Sequence, residues 1–439
     1  MTACAIETSA AGEEDGMPEA GCTITADGAY AARLALDEGS CFPERWTLDG
    51  PEPYAVPLPG NQPEEPGTEV QPMGDGRVLI HRLVDGRHAF SLLYPTGPGT
   101  GELPLGAVGC PDPATRLRLL PPAPGGACAY ALAVGPRSTA VWLVAGGTFG
   151  PEQLAEIPGR CSGGVWLDRA GRMLALDREV GGRTKAVVVD LGCGGEVSPL
   201  LQIAPDSDDR LLLADPDSGL LLIRSDAPSP GQERLGWGVL GSMLPVRFPE
   251  SLRIAECAVT PFAIQPGQVL TPEHCMVALR VDGAFGSWVG MWRPSERHVH
   301  HLPAPEGWLT GTGLWTADEV LRLPYATAEV PCGVAALVVP RAPEPSEFSA
   351  GAAGAGASEP EGPTLPGPRP GGSGPAGSRP RGSRSEASPP AAAGSGASRS
   401  GGAEPQDAEP EGGEPDSAGP VVSRPVPLRE APLGRLVTN

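Results

Sequence analysis

Lysine is almost missing from this chain of 439 residues: Lys185 stands alone against abundant arginine. The bias reads as the codon habit of a GC-rich genome, such as an actinomycete's, and says nothing about activity. No run of 18 or more apolar residues exists, and the N-terminus lacks the basic stretch and apolar core of a secretory leader. Neither a membrane span nor a leader is expected, and a soluble cytoplasmic protein is. The ten cysteines include no paired CxxC spacing, which argues against a zinc ribbon or a disulfide framework and for reduced thiols packed in a core. The formal net charge of −21 repels nucleic acid and anionic membranes, and the folded part holds no basic patch to offset it.

What is present is a repeated β pattern. In "VWLDRAGRMLALDRE" (165–179), Val165 to Leu167 precede a polar turn and Met173 to Leu176 follow it, too close together for a helix. "TKAVVVDL" (184–191) and "VSPLLQI" (197–203) add two strands across Gly-rich turns. Residues 163–203 therefore read as one four-stranded blade of a β-propeller.

Similar units recur at blade spacing. They fall at 74–108, at 115–157, from Asp209 through "LGWGVLGSMLPVRF", at 257–302, and from Gly313 to Pro340. Six units are counted. The segment 45–58, "RWTLDGPEPYAVPL", is expected to lend the last unit its missing strand and close the ring. The fold class is all-β, a β-propeller of six blades with seven as the alternative count. A pair of β-sandwiches is the competing arrangement.

The phrasing around Trp166, Asp168, Gly171, Asp190, Leu191 and Gly192 resembles blades of the TolB and prolyl-oligopeptidase N-terminal propellers. There a Trp-x-x-Asp-Gly-type turn precedes an apolar strand, and an Asp-Leu pair precedes a Gly-rich turn. The resemblance implies fold, not activity. In prolyl-oligopeptidase-like enzymes an α/β-hydrolase domain follows the propeller, yet this chain has no GxSxG nucleophile elbow. A Pro/Gly/Ser tract occupies that place instead.

No catalytic or cofactor-binding residue is assigned. The densest imidazole cluster, "HVHH", offers His298 and His300 as metal candidates, because strand alternation would put them on one face. The third ligand a catalytic zinc needs is lacking, so an exposed outer strand is the expected role. "PDSDDR" (205–210) and "DPDSG" (215–219) do not match a calcium loop, and their carboxylates are expected to cap turns. The tryptophans are expected to fill gaps between blades.

Residues 1–30 are small and acidic and are expected to form a disordered arm, with the propeller at 31–340. Residues 341–439, dominated by Pro, Gly and Ser, lack the apolar content to offset backbone ordering and are expected to be a disordered tail. Apolar residues return at 421–437, where Val421, Val422, Pro425, Val426, Pro427, Leu428, Leu433 and Leu436 form a candidate docking segment. Such a segment on a long tether gains effective concentration at a partner site. The expected function is non-catalytic: a ligand- or protein-binding propeller with an unknown protein partner, no nucleic acid or membrane, and a flexible acidic C-terminal tether. The alternative is a metal-dependent hydrolase or lyase with its site in the central channel.

Overall fold

Short apolar runs decide the local structure. Ala186 to Val189 and Leu220 to Ile223 are all at most 1% exposed, as expected of strands covered on both faces. The computed structural model describes residues 21–37, 39–65, 67–266 and 271–338. Among these, 26 strands form with three short 3-10 turns and no α-helix. No helix among them is long and apolar enough to cross a membrane.

The strands group into consecutive antiparallel meanders. The first holds β1 (Cys22–Ile24), β2 (Tyr30–Asp37), β3 (Ser40–Thr47) and β4 (Tyr54–Pro57). The second holds β5 (Glu69–Pro72), β6 (Val78–Val84), β7 (Arg87–Pro95) and β8 (Thr100–Gly109). The third comprises β9 (Arg116–Leu119), β10 (Ala129–Val134), β11 (Ser138–Ala145) and β12 (Glu152–Pro158). β13 (Arg160–Trp166), β14 (Met173–Val180), β15 (Arg183–Asp190) and β16 (Glu196–Leu201) make the fourth. β17 (Asp209–Ala214), β18 (Leu220–Ser225) and β19 (Arg234–Val239) make the fifth, with Arg247 bridging back onto Trp237 as the stub of a fourth strand. The sixth runs β20 (Ala258–Ile264), β21 (Val277–Gly283), β22 (Gly286–Trp292) and β23 (His300–Leu302). The last is β24 (Leu314–Trp315), β25 (Val320–Tyr325) and β26 (Gly333–Val338).

The architecture is a β-propeller. Seven apolar clusters lie among the described residues, one between each pair of neighbouring meanders, including the last and the first. An open fan of seven sheets would need one cluster fewer, so the ring closes. At the closing seam Ala31, Trp46 and Leu48 pack against Leu309, Ala326 and Val334, and Thr312 Oγ1 donates to the Cys22 carbonyl at 3.0 Å. No strand is exchanged across this seam among the described residues.

Two expectations are corrected here. Residues 45–58 do not complete the last unit; they belong to β3 and β4 of the first meander, because β1 and β2 supply it with its own inner strands. β1 also lies within the 1–30 segment expected to be an arm, so the described part of that segment holds a paired strand. Residues 1–20 and 339–439, including 421–437, lie outside the described residues.

The turns obey side-chain chemistry legible in the sequence. Asp168 Oδ1 accepts from the Arg172 and Met173 amides at 2.9 and 3.0 Å, and Asp190 Oδ1 from those of Gly192 and Cys193 at 2.8 and 3.1 Å. These are the Asx-type bonds that make aspartate a turn residue. The fourth and fifth meanders are also joined by one parallel pair, Lys185 opposite Asp209. There the single lysine meets a fully buried carboxylate, Nζ to Oδ2 at 2.7 Å. Asp209 Oδ1 accepts from Ser207 and Ser225 hydroxyls at 2.8 and 2.6 Å, and Oδ2 from the Ile203 amide at 2.9 Å.

Removing one member of such a cluster leaves a desolvated charge without its partner. Asp209→Ala is expected to lower the unfolding free energy by about 3–5 kcal/mol, measured as a fall in the urea midpoint. An unchanged midpoint would mean that this joint carries no net stability.

Candidate functional site

The innermost strands surround a channel of about 1410 Å³. Its wall passes from Ile24 on β1 through Val70, Leu119, Val165 and Leu211 to Leu314 on β24, with Phe262 of β20 beside them. Three charged side chains interrupt this apolar lining: Glu69, Arg118 and Asp177.

Asp177 is unusual in coming from a second strand, β14, rather than from the strand that lines the axis. It reaches the channel because β13 carries a register shift between Ser162 and Val165. Gly163 and Gly164 make the shift with φ of 76° and 136°, a backbone that side chains rarely tolerate. A Cβ on Gly163 would stand 3.1 Å from Asp177 Oδ2, and one on Gly164 would stand 2.6 Å from Leu120 Cδ2. The paired glycines thus open a window for the carboxylate behind them.

The protein holds the carboxylate in this window through one of its two oxygens. Its Oδ1 accepts from the Leu211 amide at 3.0 Å, while its Oδ2 has no hydrogen-bond donor among the described residues. Arg118 Nη2 donates instead to the Gly163 carbonyl at 3.1 Å. Arg210 donates to Ser162 Oγ and Thr184 Oγ1, each at 3.4 Å. Burial pushes the Asp177 pKa up to about 6, against the lowering influence of the Leu211 amide and of Arg210 and Arg118. At 6% exposure, ionising this group in the fold costs about 3 kcal/mol relative to the unfolded chain.

Glu69 is held differently. Its Oε2 meets His81 Nδ1 at 2.8 Å and accepts from the Leu119 amide at 3.0 Å, which ties β5 to β6 and to β9 of the next meander. His81 is buried and stacks on Phe90, and its Nε2 lies 2.9 Å from His88 Nδ1. A neutral His81 can donate to Glu69 from one nitrogen and accept from His88 at the other. Protonating both rings would place two N–H groups face to face. Burial and then the His81 charge hold the His88 pKa below its ordinary value, partly offset by Glu69.

The residues singled out in the sequence fall elsewhere. His298 sits in the loop before β23 and His300 begins that strand, so the alternation that would place both on one face does not operate. Both are exposed, and His300 Nε2 lies 3.3 Å from Glu296 Oε2. Among the described residues no group of three or more His, Cys, Asp or Glu comes together to hold a metal. The tryptophans sit in sheet interfaces, with Trp46 and Trp292 fully buried. The acidic turns cap backbone, Asp215 Oδ2 accepting from the Ser218 amide at 2.9 Å.

No family model matches the chain, and no curated protein matches it. Solved structures of similar fold include the oligogalacturonate lyase of Vibrio parahaemolyticus, 10% identical, with 73% of this chain and 89% of that one covered at a TM-score of 0.46. TolB from Acinetobacter baumannii is 10% identical, with 70% and 78% covered at a TM-score of 0.37. Prolyl oligopeptidase B from Galerina marginata is 12% identical with a TM-score of 0.45, covering 73% of this chain, which spans about half of that enzyme (49%). TolB and prolyl oligopeptidase are the two types of propeller that the blade around Trp166 resembles. At such scores the architecture rests on the chain's own strand order and seven clusters.

The two perturbed groups give stability opposite pH dependences. A carboxylate whose folded pKa is raised loses stability as pH rises from 3.8 through about 6. Asp177→Asn, which keeps an acceptor for the Leu211 amide, is expected to raise unfolding free energy at pH 7.5 by about 2–3 kcal/mol. The gain should vanish below pH 4 in denaturation curves across pH. His88, with a depressed folded pKa, stabilises the fold above its ordinary value of 6.5, and that contribution is lost as pH falls through it. His88→Leu is expected to flatten the fall in melting temperature below pH 6.5; an identical fall in the variant would assign it to other groups.

Proposed function

We propose that this chain is a non-catalytic binding propeller that captures a protein or ligand on one end of its ring. The observation that supports this most is a recurrence of exposed apolar residues at equivalent turns. Leu36 (53% exposed), Leu83 (62%), Val180 (57%), Phe285 (104%) and Val330 (38%) all lie at or beside the turn between a meander's second and third strands. In a propeller these turns share one end of the ring. Five meanders therefore present apolar tips on one face, an arrangement that marks interaction surfaces. The channel reaches that face, since Leu36 and Gly39 beside the first such turn also line it. Tyr54, Tyr94, Phe149, Met243 and Leu244 are exposed at or beside turns of the opposite end, in four meanders, and the residues there include two tyrosines with polar hydroxyls. In this reading residues 341–439 serve as an acidic tether and 421–437 as its docking segment.

A catalytic reading, a hydrolase or lyase working in the channel, draws support from the Asp177 carboxyl, which titrates near neutrality as a general acid or base should. Charge substitution at the tips separates the two. The full chain carrying Leu83→Asp, Val180→Asp and Phe285→Asp is expected to keep its melting temperature while losing the partners recovered by the wild type in a tagged pull-down. Partners retained by the variant would refute the tip face as the interaction surface, and turnover abolished by Asp177→Asn would favour catalysis.

A further inference from the structure

Every meander but the last ends in a fourth strand or, in the fifth, in the Arg247 stub of one. In the last, β26 is the outer edge, and among the described residues nothing pairs with its far side. Both of its faces are in use. Ala335 and Leu337 pack toward the sixth meander and Val334 toward the first, so what is left open is a row of backbone N–H and C=O groups.

Such an edge is normally guarded by shortness, charge, proline or a bulge, because bare backbone recruits another strand. The other outer strands follow that rule. β4 is four residues long and ends in Pro57, and β8 carries Glu102 and Pro104. β12 carries Glu152 and Glu156, β16 carries Glu196 and Pro199, and β23 is three residues with two histidines. β8, β12 and β16 also meet their neighbours through register shifts. β26, "GVAALV", has none of these features, and its pairing with β25 runs without a shift. Its composition is that of an interior strand whose neighbour is missing.

We propose that residues 2–8 of this chain are that neighbour, an outer strand laid antiparallel on β26. In "TACAIET", Thr2, Cys4, Ile6 and Thr8 alternate with Ala3, Ala5 and Glu7, the period of a strand with two unlike faces. Glu7 supplies the charge that guards the new edge. Chain order fits as well. Each outer strand leads straight into the inner strand of the next meander, as β4 does through 58–68, β8 through 110–115 and β23 through 303–313. In that order the strand ahead of β1 is the outer strand of the last meander, and 9–21 is a link of similar length. The other segments outside the described residues suit the edge less. Residues 341–420 hold Phe348 and Thr364 as their only aromatic or β-branched residues, and Pro425, Pro427, Pro432 and Gly434 interrupt 421–437.

The pairing is independent of what the ring binds, but it bears on where. A strand antiparallel to β26 runs back toward the end of the ring that carries Val330 and the other apolar tips. The link 9–21, with Glu13, Glu14, Asp15 and Glu19, then starts beside that face.

The test is hydrogen exchange read by mass spectrometry on the full chain, following 333–338 with 173–190 as the internal reference. One variant carries Ala5→Pro and Ile6→Pro; successive N–H groups of a strand point to opposite sides, so one of the two prolines removes a donor facing β26. A control carries Leu436→Pro and Val437→Pro. In the wild type 333–338 is expected to exchange as slowly as 320–325, and the first variant to speed it by about tenfold or more while 173–190 is unchanged. Should the proline pair expose 173–190 too, Ile6→Asp, which keeps every backbone donor, is expected to speed 333–338 alone by about threefold. The proposal is overturned if 333–338 exchanges fast in the wild type or if substitutions in 2–8 leave it unchanged. It is equally overturned if the control speeds it, which makes the C-terminal segment the occupant, or if protection falls on dilution, which makes a second copy the occupant.

Discussion

Everything in this fold depends on the lateral packing of one apolar sheet face against the next. Each meander is too small to bury both of its faces alone, so Leu174 and Val187 of the fourth lie against Leu132 and Val141 of the third. On the other side of the same strands, Ala175 and Val188 lie against Leu211 and Ile223 of the fifth. Closure is the same interaction applied once more. Trp46 fills the seam between last and first, and its indole N–H donates to Glu44 Oε2 on the same strand at 2.7 Å. A ring held this way needs no exchanged strand, because removing the seam would expose two apolar faces at once.

Such packing leaves the axis as the least constrained region, and there local rules are broken. A strand interior disfavours glycine, yet β13 holds two in succession at left-handed angles. A core position disfavours an ionisable group, yet Asp177 stands at one. Neither departure improves the fold, and both converge on one opening. Sites where local consistency fails are where function is placed at the expense of stability.

Much of the architecture was legible because turns and apolar runs are local. The strands around Trp166, the Gly181–Gly182 turn and the capping aspartates follow from side-chain periodicity and hydrogen-bonding chemistry. The first meander was not legible as a unit. β1 has only three residues, "CTI", below the length at which alternation carries information, and its composition continues that of the acidic segment before it. The site was hidden for a different reason. Asp177, Glu69 and Arg118 belong to three meanders, and only ring geometry brings them to one wall. One local signal existed: "SGG" interrupts a strand and "LALD" follows in the next, putting an acid where alternation in a buried strand calls for an apolar residue. His298 and His300 attracted notice by density, yet they lie on the rim, where imidazoles are cheap to place.

The burial of Lys185 has a consequence beyond the joint it makes. Its ammonium is bonded to Asp209, Ser207 and the Ala204 carbonyl, and its side chain is only 18% exposed. With no other lysine in the sequence, the chain's one ε-amine is already engaged in three hydrogen bonds. Acetylation, ubiquitin conjugation at lysine and lysine-directed cross-linkers have one target, and reaching it means competing with Asp209, Ser207 and the Ala204 carbonyl for its ammonium. The molecule thus resists the commonest class of covalent regulation, and a single lysine introduced on any exposed turn would be a more accessible handle.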